Sequence, residues 1–422
     1  MEYKPLSIPP TTPYTGTVEE GGVCVAAGFK AAAVHAGFRR NPQRNDLALV
    51  VADRPAAVAG VFTTNVFCAA PVTVDREHIA ASGYARAVVV NSGNANAATG
   101  EPGLAAARAT AAQLAGLLEC PVEQVLVAST GVIGQHLNME VMEAGLPQVV
   151  AALGTDAVEH DLAAAQGIMT TDTKPKRACV SYVDACGATY RVGGMCKGSG
   201  MISPNMATMI AVVTTDAPVE PAALDAALHA AANATFNRVT VDSDTSTNDS
   251  CFVLASGAAG GPAIDQASGE RYEAFAAALL AVCDSLAQQI AADGEGATKL
   301  VRVAVMGAAT PADAELAART VATSPLVKTA IAGHDANWGR IAAALGRSGA
   351  SFDQYRVDID ILGIPVCRGG LALAFDEDEA LRRFEAPQVD IACDLGAGEC
   401  AATIWTCDLT HGYISINADY RS

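Results

Sequence analysis

KGSGMISPNMATMI, residues 197–210, is the stretch on which the reading of this chain turns. As a plain core strand it is poorly built. Lys197 would have to be buried or reach water along its stem, and Gly198 and Gly200 weaken any strand they interrupt. Pro204-Asn205 turns the chain just before Thr208, which stands between Ala207 and Met209. Backbone freedom, a cation and a hydroxyl are therefore gathered in one place. The run ATMIAVVTTD (207–216) is apolar and β-branched, so this hydroxyl sits where a buried strand is expected to begin.

Threonine is a weak nucleophile at its own pKa and needs a base beside it. At a chain N-terminus its own α-amine serves. An internal threonine reaches that state when the bond before it is cut. The hydroxyl attacks the preceding carbonyl, the acyl group passes to oxygen, and water hydrolyses the resulting ester. Such an attack calls for tight backbone before the threonine, small neighbours, and donors for the oxyanion. GSGMISPNMAT supplies glycines, a Pro-Asn turn and the small Ala207. Taken alone, the segment is read more readily as a threonine in an apolar strand after a turn.

Other stretches extend the pattern. VASTGVIG (127–134) is a strand followed by a glycine-rich turn, and Thr130 and Gly131 are its natural donors to an oxyanion. GIMTTDTKPKRA (167–178) piles hydroxyls onto a proline-containing loop. DGEGATKL (293–300) sets Glu295 between glycines, where a carboxylate can be held close to an ammonium. VTVDSDTSTNDS (239–250) has the acidic look of a metal loop. It lacks the glycine at position 6 and the glutamate at position 12 of a calcium loop, so no metal is expected. AGHDANWGR (332–340) and INADYRS (416–422) read by default as solvated turns.

Composition narrows the function classes. A formal net charge of -18 over 422 residues repels phosphate backbones, so nucleic acid is not an expected partner. No apolar run long enough to cross a membrane is expected, and MEYKPLSIPP lacks the basic-then-apolar pattern of a signal peptide. The twelve cysteines form no CxxC pair, which suits reduced thiols in a cytoplasmic protein. Strand-like segments at 85–93, 122–130, 189–196, 207–216, 251–257, 300–307 and 413–420 alternate with helical ones at 103–119, 221–236 and 271–293. The expected class is α/β or α+β with layered sheets and helices.

In chain order, VNSGNANAATG (90–100), STGVIG (129–134), MTTDT (169–173), KGSGMISPNMATM (197–209), TVDSDTSTND (240–249), DGEGATKL, GHDANWGR and INADYRS resemble the ornithine acetyltransferase family of arginine biosynthesis, also called bifunctional glutamate N-acetyltransferases. The resemblance spans essentially the whole chain. It implies a layered αββα-type sandwich, shared with an autoprocessed aminopeptidase family and cut between Ala207 and Thr208. The products would be an α chain of residues 1–207 and a β chain of residues 208–422. Both would build one sandwich, with a smaller subdomain around 300–405. The implied reaction moves an acetyl group from N2-acetylornithine to glutamate, and two α and two β chains would assemble.

Residue by residue, the resemblance makes Thr208 the nucleophile that carries the acetyl ester and Thr130 with Gly131 the oxyanion hole. Thr171, Lys197, Glu295, Asn417 and Ser422 would contact substrate. Thr171 is chosen over Thr170 from its spacing to Lys197. Ser422 stands where the family commonly ends in threonine, and Ser203 is assigned no role. No cofactor is implied, and acetyl-CoA as a second acetyl donor is left open. Two alternatives stand beside this reading. One is an autoprocessed N-terminal-nucleophile amidohydrolase or aminopeptidase, in which water is the acceptor. The other is a non-catalytic acidic scaffold.

Overall fold

The computed structural model describes residues 3–156, 158–203 and 209–419. They form two units, the larger drawn from residues 12–237 and 244–286, the smaller from 3–11, 238–243 and 287–419. The larger unit carries β1 (Phe29–Val34), β2 (Leu47–Phe62), α1 (Ala70–Ser82), β3 (Tyr84–Asn94), α2 (Gly100–Leu118), β4 (Val125–Val132), α3 (Met139–Ala151) and α4 (His160–Gly167). Then come β5 (Lys176–Val183), β6 (Thr189–Lys197), β7 (Ile210–Thr215), α5 (Pro221–Ala234), β8 (Ser250–Ala255) and most of α6 (Glu270–Ala292).

One sheet runs in the order β4-β3-β2-β8-β7-β6-β5, with β1 also on β2. β2 is the hinge of this sheet. Its first half, Leu47–Val51, pairs with β3, while its second half, Ala57–Phe62, pairs with β8, and the register shifts between Val51 and Ala56. A bulge of this kind bends a strand and raises its twist. The two half-sheets therefore face each other: Val50, Val88, Val90 and Leu126 share a core with Met195, Val212, Phe252 and Leu254.

The period-2 alternation of strands sends Leu47, Leu49, Val89 and Val127 to the opposite face, where they meet Leu114 of α2 and Met142 and Leu146 of α3. On the other half-sheet, Val282 and Leu286 of α6 lie over Gly194 of β6. The layers are helix, sheet, sheet, helix, as the sequence led one to expect. Strands buried on both faces explain the continuous apolar runs such as AVVV (87–90).

Helix α6 departs from expectation. It is 23 residues long with an 18-residue window of mean hydropathy 1.5, long and apolar enough to cross a membrane. Here it is a core helix: 61% of that window is buried in protein, and Leu279, Val282, Cys283 and Leu286 are wholly enclosed.

The smaller unit contains β9 (Leu300–Ala308), α7 (Pro311–Ala322), α8 (Pro325–Ala332), α9 (Trp338–Gly346), β10 (Asp358–Ile361), β11 (Ile364–Arg368), β12 (Leu371–Ala372), α10 (Glu377–Arg383), β13 (Gln388–Asp394), β14 (Cys400–Cys407) and α11 (His411–Asp419). Its sheet order is β12-β11-β10-β13-β9-β14. Val301, Val303 and Val305 of β9 pack on Ala314, Ala317 and Val321 of α7.

The strand expected at 413–420 is, over its described residues, helix α11. Alternating Ile414 and Ile416 suggested a half-buried strand, but they are 65% and 36% exposed and have no sheet to pair with. Thr410 caps the helix instead, its hydroxyl accepting from the Gly412 N–H at 3.0 Å.

Candidate active site

Three strand ends meet at the expected centre. Lys197, the last residue of β6, is the register partner of Ile210, the first of β7, and Ile210 in turn pairs with Ser250, the first of β8. Ala207 and Thr208 lie outside the described residues, as does Ser422. Met209, which follows Thr208 directly, is buried and held on both sides of its peptide. Its N–H donates to Asp249 Oδ1 at 2.9 Å, and its carbonyl accepts from the Ser250 N–H at 3.0 Å.

Immediately before Asp249, the Asn248 side chain crosses to the other half-sheet. Its amide donates to the carbonyls of Ala95 at 2.6 Å and Ser129 at 2.8 Å. It thus clamps the end of β4 to the loop that begins β8. Thr130 and Gly131, expected in a turn, are the two residues before the last of that strand and pair with Ser92 and Gly93 of β3. Ser129 donates to Asn91 Oδ1 at 2.6 Å, and Asn91 donates onward to the Asn94 carbonyl. Thr130 is buried. Gly131 has φ +135° and lies so close to β3 that a Cβ would stand 2.3 Å from the Gly93 carbonyl carbon. Only glycine fits a backbone crowded in that way. The VNSGNANAATG motif is therefore a brace for the end of β4, a role its sequence did not announce.

Lys197 is 2% exposed and shares its surroundings with a second buried lysine, Lys176, and with Asp172. Asp172 Oδ1 accepts from Lys176 Nζ at 2.7 Å and from the Gly198 N–H at 2.7 Å, while Oδ2 accepts from the Thr170 N–H. Burial opposes ionisation of this carboxyl. Lys197 and Lys176 outweigh it, together with the hydrogen bonds, and hold Asp172 well below the usual carboxylate range. Thr170 Oγ1 lies 3.5 Å from Asp172 Oδ2, whereas Thr171 is half-buried with no hydrogen bond from its hydroxyl among the described residues. Asp249 is the opposite case. Desolvation pushes its carboxyl well above the ordinary range despite the Met209 N–H and the field of Lys197.

In the smaller unit the structure brings two predicted residues together. Asn417 of α11 donates to Glu295 Oε2 at 2.7 Å. The Glu295-Gly296 loop abuts the start of α11: Gly296 has φ +70°, its carbonyl accepts from Thr410 Oγ1, and a Cβ there would stand 2.3 Å from the Tyr413 nitrogen. Among the described residues no group of three or more His, Cys, Asp or Glu is placed to hold a metal. All twelve cysteines are free thiols, and burial pushes Cys251, on β8, up to about 12.

Asp172, Lys176, Asn248 and Asp249 are the residues that reading the sequence missed. Asp172 and Lys176 did carry a signal, since an acid four residues before a lysine stands inside an otherwise hydroxyl-rich loop. Asn248 and Asp249 carried only a discarded one, the resemblance to a metal loop.

The layered αββα sandwich, with Gly131 crowded against β3 and a buried lysine pair on β5 and β6, frames the candidate site of an acyl-transferring enzyme. Residues 30–422 match the model of the ArgJ family. A protein of Symbiobacterium thermophilum named arginine biosynthesis bifunctional protein ArgJ is 51% identical over 403 residues, covering 95% of this chain and 99% of its own. Its namesake from Chlorobaculum tepidum is 48% identical over 396 residues, covering 94% and 96%. The crystal structure of the Bacillus halodurans protein of that name is 45% identical, with a TM-score of 0.47, and covers 49% of this chain and 97% of the solved one. The chain belongs to the ArgJ family.

Proposed function

We propose that this enzyme transfers the acetyl group of N2-acetylornithine to glutamate through an ester on Thr208, releasing ornithine and N-acetylglutamate. The observation that carries the proposal is the hydrogen-bonded path from Met209 through Asp249 and Asn248 to Ser129, Thr130 and Gly131 at the end of β4, with Lys197 alongside. It supports a nucleophile strand and an oxyanion site held in one rigid frame. The relatives' shared name, an arginine biosynthesis bifunctional protein, supports the pathway and a second activity, for which acetyl-CoA is the donor we assign.

The chemistry then runs in two symmetrical halves. Thr208 Oγ attacks the acetyl carbonyl as its proton passes to the α-amine of Thr208. The tetrahedral oxyanion, held by Thr130 and Gly131, collapses with cleavage of the C–N bond, and the departing ornithine amine takes the proton. Glutamate enters, and its amine attacks the ester in the reverse sequence. Lys197 holds the α-carboxylate common to both substrates. Glu295, oriented by Asn417, faces an ammonium, and Thr171 and Ser422 complete the contacts. No cofactor takes part.

Thr208 gains its free amine by self-cleavage after Ala207. Strands β1–β6 precede that bond and β7 and β8 follow it, yet all pair in one sheet, so the two chains stay together after cleavage. Two copies of each make the working assembly, and its place is the cytoplasm. The test is the mass of the purified protein, followed by acetyl exchange. Two chains, with the second beginning at Thr208, are expected, together with parallel double-reciprocal plots for the two substrates. Thr208→Ala should stay a single inactive chain. Acetate released without glutamate would instead indicate the amidohydrolase alternative, and an uncut, fully active protein would remove Thr208 from the mechanism.

A further inference from the structure

Asp249 is fully enclosed and takes no chemical step in the mechanism above. It forms no ion pair among the described residues. One carboxyl oxygen, Oδ1, receives the Met209 N–H, while the other, Oδ2, is buried without a hydrogen-bond partner. The Thr63 hydroxyl stands close enough to Asp249 to favour its charged form, but its proton goes to the Ser246 carbonyl at 2.7 Å. The Asp249 backbone is equally engaged, its carbonyl accepting from the Thr63 N–H at 3.0 Å. A carboxylate sealed from water with a single N–H bond is strongly disfavoured, whereas a neutral acid in the same place is not.

We propose that Asp249 is a positioning residue that works as a neutral acid. It accepts the peptide N–H that follows the nucleophile, ties that peptide to the end of β2 through Thr63 and, through its neighbour Asn248, to the end of β4. Neutrality matters because of what stands nearby. Lys176 and Lys197 both act on the ionised carboxyl of Asp172, and an ionised Asp249 would compete with the substrate carboxylate for Lys197. The residue thus sets both the alignment of the attacking hydroxyl and the affinity of the site for an anionic substrate. This inference rests on the proposed acetyl transfer for its kinetic consequences, but its protonation state can be read without any substrate.

The experiment compares the full-length, matured wild type with Asp249→Asn and Asp249→Ala. In acetyl transfer from N2-acetylornithine to glutamate, D249A should lose about 10²-fold in kcat with KM little changed, the usual effect of a misplaced reacting group. D249N, whose amide oxygen can still accept the Met209 N–H, should recover most of that loss. Lys197, the charged group whose field reaches Asp249, is present in both proteins, so a difference between wild type and D249N in the alkaline limb of the pH profile isolates Asp249.

Thermal melts supply the substrate-free readout. The unfolded chain gives up this proton near pH 4, while the folded wild type keeps it, so D249N should become steadily more stable relative to wild type as pH rises above about 4. A flat or falling difference would show that Asp249 is ionised in the fold and overturn the proposal. So would a D249N as impaired as D249A, or a D249A with unaltered kcat. A wild type that moves no acetyl group would refute the proposed function, yet the melts would still decide the state of Asp249.

Discussion

Gly131→Ala is the most informative single perturbation of the oxyanion site, because the structure sets its size. The new Cβ would lie 2.3 Å from the Gly93 carbonyl carbon and 2.6 Å from the Asn94 nitrogen, both backbone atoms that no rotamer change can move aside. Relief requires β3 and β4 to part by about 1 Å at this point to reach ordinary contact. The residue must also hold φ +135°, where a side chain adds roughly 1–3 kcal/mol of strain. A displacement of about 1 Å at a reacting group costs on the order of 10²-fold, and loss of one oxyanion donor about 10²–10³-fold. Gly131→Ala should therefore lower kcat for acetyl transfer by about 10²-fold or more while leaving both KM values within a few-fold, since the oxyanion exists only in the transition state. If the proposed self-cleavage uses the same donors, maturation should slow too, leaving persistent precursor on a denaturing gel. Steady-state kinetics on the matured fraction, beside a time course of cleavage, give both quantities. Wild-type kcat in a folded Gly131→Ala protein would refute this oxyanion assignment.

Two further outcomes follow from the buried charges and from the helix at the end of the described chain. Asp172→Asn removes an anion that both Lys176 and Lys197 act on and should cost about 3–5 kcal/mol near neutral pH, measured by denaturant unfolding. Because the folded carboxyl titrates below its unfolded value of about 3.9, its contribution is present above that pH and lost as pH falls through the folded value. The gap between wild type and Asp172→Asn should therefore close in acid, and a gap that persists there would indicate a steric cause. Gly296→Ala would drive a Cβ into the first turn of α11 and separate Asn417 from Glu295. Losing a charge-assisted hydrogen bond at that place should raise KM about 10-fold or more with a smaller change in kcat, and unchanged KM values would free Glu295 of a binding role.

Much of this molecule was legible in one dimension. Helices α2, α5 and α6 and strands β3, β4, β6 and β8 follow from apolar period and turn residues, which are properties of neighbours in the chain. The eight motifs sufficed to place the chain among its relatives, because the residue types that acyl transfer needs recur in fixed order. Local pattern failed where it had no partner to read: Ile414 and Ile416 alternate like a strand, but the segment is a capped, exposed helix. The bend of β2 that turns one sheet into two facing layers depends on pairing with β3 on one half and β8 on the other, strands separated by most of the larger unit. The same holds for the polar frame. Asn248 and Ser129 are 119 residues apart, and Asp172 reaches Gly198 across 26, so no window of sequence contains either bond. Nor could composition tell that Asp172 is ionised and Asp249 is not. Two lysines and several hydrogen bonds outweigh burial at Asp172, whereas at Asp249 desolvation wins over the Met209 N–H and the field of Lys197, and only the folded chain sets those distances.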